Sequence, residues 1–191
     1  MTDTIISPDR SRNSLLKIAA AGVLTGLLTP LLPTLIDKIL GAPGDLRIAL
    51  VAVPFAVLVG ILVRRSSSNP RWAALAAAVI TMIAFVCAVN AAIWIDGQVG
   101  DVAKAVRNIC AGLAGGVVGS ALMALGIGLL PASPRDPAAW LPMLGIGTVA
   151  GALLALDSAL ELDLTSALYP VWQAGVAAAL AMALQRTMAR S

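Results

Sequence analysis

Six charge-free stretches divide the chain, at residues 18–36, 48–63, 72–95, 108–134, 137–156 and 164–185. A helix that crosses a bilayer takes roughly 17 to 25 predominantly apolar residues. Five of the six stretches meet that length and residues 48–63 fall slightly short of it. Transmembrane β-strands are about 9 to 11 residues long and alternate in polarity, so runs of this length exclude a barrel. The pattern predicts an all-α integral membrane protein of six transmembrane helices. Residues 1–14 read as a flexible cytoplasmic tail and residues 15–191 as a single transmembrane domain. The connecting loops are short and leave no room for a soluble catalytic or ligand-binding domain.

Composition agrees with the pattern. The chain is 59% hydrophobic and 12% charged, against about a quarter charged in ordinary soluble domains. In the six-helix arrangement nine of the thirteen Lys and Arg residues fall on one side, including Arg64, Arg65, Arg71 and Arg135. The positive-inside rule then sets both termini in the cytoplasm, and the compact loops suit a bacterial inner membrane. The opposite side holds seven of the ten carboxylates, so the outer face is net acidic. The basic residues form no stripe, and nucleic acid is not an expected partner. Trp72 and Trp140 are expected at the inner surface, and Trp94 and Trp172 at the outer, as an interfacial aromatic belt.

Two segments are written alike. Residues 69–84 read NPRWAALAAAVITMIA and residues 169–184 read YPVWQAGVAAALAMAL, aligning Pro70 with Pro170, Trp72 with Trp172 and Met82 with Met182. AGVLTG at residues 21–26 echoes AGLAGG at residues 111–116. A unit of three helices, with halves at residues 15–96 and 101–190, makes a 3+3 inverted-topology repeat, an architecture of secondary transporters. Proline at a helix start with tryptophan at the interface is also a generic way to open a transmembrane helix. Gly22 and Gly26, Gly112 and Gly116, Gly115 and Gly119, and Gly147 and Gly151 are small-xxx-small pairs, which predict close helix packing.

No charged residue falls at the centre of a helix, which argues against a buried-carboxylate proton relay and against voltage sensing. The intramembrane polar candidates for substrate binding are Thr29, Pro30 and Thr34 in helix 1, Asn90 in helix 3 and Gln173 in helix 6. Proline frees a backbone carbonyl, so the Thr-Pro segment of helix 1 is an expected kink. Asp37, Asp96 and Asp157 are expected to form an acidic vestibule at the outer mouths. Asp101 is a candidate N-cap for helix 4, and Ser158 with Glu161 has the form of a capping box before helix 6.

Enzyme chemistry finds no support. The chain has no histidine, no glycine-rich phosphate loop with lysine and no cysteine pair at metal-ligand spacing, so no catalytic residue, metal or cofactor is assigned. Cys87 and Cys110 read as small apolar residues outside any disulfide. The sequence therefore points to a small transporter or channel for a cation or small polar solute. The alternatives are a non-catalytic scaffold or accessory subunit of a membrane complex, and a substrate-binding subunit that needs an energising partner. The lipid bilayer and a small solute or cation are the expected partners, with a homo-oligomer or a membrane complex as further ones.

Overall fold

The computed structural model describes residues 8–99, 102–162 and 166–188, and among these all regular structure is helical. Helix α1 (Pro8–Leu28) passes through a 3-10 turn at Thr29–Leu31 into α2 (Leu32–Ile39). Pro30 and Pro33 cause that break, because each removes an amide donor near the start of the element it opens. The helix already begins at Pro8, within the segment expected as a tail. Next, α3 (Gly44–Val51) and α4 (Val53–Ser66) form one apolar run bent by 52° around Ala52, with Pro54 in the first turn of α4. Two long helices follow, α5 (Arg71–Gln98) and α6 (Lys104–Gly128). A 3-10 turn at Pro137–Ala139 leads into α7 (Leu141–Gly151), and α8 (Leu154–Ala159) and α9 (Leu168–Met188) complete the fold.

The register of close contacts shows that the helices alternate in direction. A Cβ at Gly22 would sit 2.5 Å from the Ala174 Cα, and one at Gly26 would strike Pro170, so α1 lies antiparallel on α9. Gly115 and Gly119 meet Ala88 with the order reversed, which sets α6 antiparallel to α5. Gly112 faces Gly151 and Gly116 faces Gly147, so α6 and α7 cross on four glycines with their backbones in contact. These are the small-residue faces that bring membrane helices close where no hydrophobic force separates helix from lipid. The alternation gathers Arg12, Lys17, Arg64, Arg65, Arg71 and Arg186 at one end, the basic end, and Asp37, Asp45, Asp96 and Asp157 at the other, the acidic end.

Four helical stretches are long and apolar enough to cross a membrane: Arg12–Ile39, Arg71–Gln98, Lys104–Gly128 and Leu141–Ala159. Counting the bent α3 and α4 pair as one span makes five. The sixth expected span, α9, is 21 residues long but carries Gln173 and Gln185, and it is enclosed by its neighbours. Val176, Ala177, Leu180, Ala181 and Leu184 are fully buried within it. Leu75, Leu125, Leu129 and Val149 project outward with two thirds or more of their surface uncovered, an apolar exterior that suits lipid better than water.

Two sequence expectations take a different form here. The echo of residues 21–26 in residues 111–116 has no packing counterpart, since Gly22 and Gly26 face α9 whereas Gly112 and Gly116 face α7. Under a three-helix repeat the partner of the α1 and α9 contact is the α5 and α6 contact, and Gly115 and Gly119 serve that one. Ser158 does not open a separate short turn before the last helix, because it lies inside α8, and the expected N-cap at Asp101 lies outside the described residues.

Candidate functional site

Helix α9 presents two faces to the bundle, and each holds one candidate feature. Toward α1, Gln173 is fully buried, and its Nε2 donates to Thr29 Oγ1 at 2.8 Å. Thr29, also buried, donates in turn to the Thr25 carbonyl at 3.0 Å, and Thr25 donates to Gly22. The result is a polar line along α1 that ends on α9. The 3-10 turn positions it, because the turn carries Thr29 at its first residue and brings that hydroxyl under the amide. Gln173 Oε1 is buried and has no partner. An unpartnered amide oxygen in an apolar interior costs about 1–3 kcal/mol, so this atom is set to accept a donor.

On its other face α9 closes a cavity of about 340 Å³. Its walls are Phe85, Val89 and Ala92 of α5, the glycines Gly112, Gly115 and Gly116 of α6, and Trp172 of α9. Tyr169, Asn108 and Asp96 add polar groups toward the acidic end. The aromatic rings are fixed by one another: Trp172 meets Phe55 edge-on at 5.6 Å, and Tyr169 lies tilted against Phe85 at 6.1 Å. Glycine on α6 matters because it lets the walls approach: a Cβ at Gly115 would meet the Ala88 carbonyl of α5, and one at Gly112 or Gly116 the backbone of α7. A mainly apolar concavity of this size with few polar groups is the ordinary form of a small-molecule site.

The sequence-predicted binding residues are not all gathered. Thr29 and Gln173 meet directly, and Pro30 is half-buried in the adjoining turn. Thr34 is exposed on α2. Asn90 is also exposed, and its Nδ2 donates to Asp45 at 3.1 Å and to the Val86 carbonyl at 3.0 Å, so it ties α5 to the start of α3. The three vestibule carboxylates are each engaged locally. Asp37 pairs with Arg47 and Asp96 with Arg107, both at 2.9 Å. Asp157, at the end of α8, accepts from the Ser166 hydroxyl and from the backbone N–H groups of Ala167 and Leu168, which caps the start of α9.

Several residues carry more than their sequence positions imply. Trp172 and Trp140 are buried, so only Trp72 and Trp94 have the exposure of an interfacial belt. Trp140 instead donates Nε1 to the Pro134 carbonyl at 3.2 Å. At the basic end Asn69 is buried between two loops, accepting from the Ala132 N–H at 2.8 Å and donating to Ser67 Oγ at 2.9 Å. Cys87 and Cys110 are both free thiols. Among the described residues no cluster of His, Cys, Asp or Glu could hold a metal ion. Comparison with protein-family models, with characterised proteins and with solved structures finds no match.

Proposed function

We propose that this chain is a small multi-pass membrane transporter, with six spans and both termini cytoplasmic, that takes up a small solute from its acidic end. The observation that carries this reading is the roughly 340 Å³ cavity walled by Phe85, Trp172 and the α6 glycines. Its composition favours a solute with an apolar body and a compact hydrogen-bonding head, placed against Asn108 and Tyr169. A bare cation is the weaker candidate, because the carboxylates at the mouths are occupied by arginines or by helix capping.

The moving part in this proposal is α1. It meets the bundle chiefly along α9, where Gly22 and Gly26 bring the two backbones close. Its 3-10 turn supplies a bend, and the bond from Gln173 to Thr29 holds one position of that bend. Discontinuous helices are a usual device of secondary transporters; here α1 lies across α9 from the cavity, so its movement would reach the solute through α9.

The test is a thermal-stability screen of the purified protein against small cations, polar solutes and small amphiphiles. Stabilisation by a compound class in the wild type, lost in Ala92→Phe, supports a site in the cavity. Absence of any shift, together with a stable copurifying membrane partner, favours the accessory-subunit reading.

A further inference from the structure

We infer that the basic end carries a built site for an anionic phospholipid between α1 and α4. A cleft of about 470 Å³ opens there, with Lys17 from α1 and Arg65 from the last turn of α4 in its lining. Below these cations the walls are Ile18, Leu58 and Ile61, and Gln185 closes the side toward α9. The cleft exists because α1 is drawn onto α9 at Gly22 and Gly26, nearer the acidic end, while its first turns have no comparable glycine contact with α4.

Charge and polarity select the occupant. Neither Lys17 nor Arg65 forms an ion pair among the described residues, although both line the same cleft. Two cations lining one cleft repel each other, and an anionic headgroup between them relieves that repulsion. The arginine offers a planar fork to phosphate oxygens and the lysine a point charge. The apolar walls beneath suit an acyl chain that leaves the headgroup at the level of the charges. Basic pockets between membrane helices on the cytoplasmic side are characteristic headgroup sites. A free anion uses only the upper half of this arrangement, so the lipid is the ligand that fills it. The lipid would brace α1 against α4 at the end where protein contacts leave them apart.

The experiment is native mass spectrometry of the full chain released from bilayers that mix phosphatidylglycerol with phosphatidylethanolamine. The wild type is expected to retain phosphatidylglycerol selectively. Lys17→Gln and Arg65→Gln should each lower retention about fivefold, and the double variant about thirtyfold. Arg64→Gln, a neighbouring exposed charge outside the cleft lining, should leave retention unchanged. Equal loss in Arg64→Gln, or undiminished retention in the double variant, overturns the proposal. A parallel measurement needs no variant: phosphatidylglycerol should raise the unfolding temperature of the wild type, while phosphatidylcholine and inorganic phosphate should not. Stabilisation by inorganic phosphate equal to that by the lipid would also overturn it.

Discussion

Gln173 on α9 and Thr29 at the break in α1 are joined by a 2.8 Å hydrogen bond, 144 residues apart in sequence and enclosed from solvent. The bond satisfies the amide nitrogen and leaves the amide oxygen without a partner. An interhelical bond of this kind contributes about 0.6 kcal/mol in a membrane protein, whereas the unpartnered oxygen costs about 1–3 kcal/mol. On these magnitudes the buried amide costs more than its one bond returns.

That imbalance predicts an asymmetry between the two partners. Gln173→Leu removes the bond and the orphaned oxygen together, and stability should stay level or rise by up to about 1 kcal/mol. Thr29→Val leaves the whole amide buried without a partner and should destabilise by about 1–3 kcal/mol. Unfolding in mixed micelles measures both. The opposite order would mean that the bond is structural glue.

The α6 and α7 crossing should tolerate no side chain. Gly116→Val drives a Cβ into the Gly147 carbonyl, a backbone atom that cannot step aside, and should cost at least about 1–3 kcal/mol or abolish folding. Gly97→Ala and Gly145→Ala meet nothing within 4 Å and should be neutral or slightly stabilising. Expression level and thermal unfolding of the three variants read out the contrast.

Asn69 should matter more than a loop residue usually does. Asn69→Ala strands the Ala132 N–H between the α4 to α5 loop and the segment after α6, at a cost of about 1–3 kcal/mol. Ser68→Ala, one position away and exposed, should change stability by less than about 0.5 kcal/mol. Comparing their unfolding midpoints isolates the clasp.

The three vestibule carboxylates, Asp37, Asp96 and Asp157, should separate by role. Asp157→Ala removes the group that caps α9 and should destabilise by about 1–2 kcal/mol. Asp37→Asn breaks a half-exposed pair with Arg47 and should cost no more than about 1 kcal/mol. If Asp37→Asn and Asp96→Asn instead eliminate a cation-dependent thermal shift, the substrate is a cation after all.

What the chain discloses in advance depends on whether a feature is local. The small-xxx-small glycines were legible because the spacing is itself the packing geometry, and all four pairs sit in close contacts. The break in α1 was legible at Thr29 and Pro30 because proline acts on its own helix. Trp172 was not, since a proline-led tryptophan at a helix start reads the same whether the ring meets lipid or, as here, Phe55. The engagement of Asp37 and Asp96 needed Arg47 and Arg107, which net charge treats as mere exceptions to the topology. Gln173 and Thr29 are both legible as intramembrane polar candidates, but their bond is not, because no local pattern joins residues so far apart.

The central claim is that a solute passes through the cavity beside α9. The direct measurement is flux across proteoliposomes that contain only this chain, using the compound class that stabilises the wild type. The account predicts flux above protein-free vesicles, abolished by Ala92→Phe in the cavity and reduced by Gln173→Leu although that variant remains folded. Flux that is absent in the wild type, or unchanged by Ala92→Phe, would contradict it.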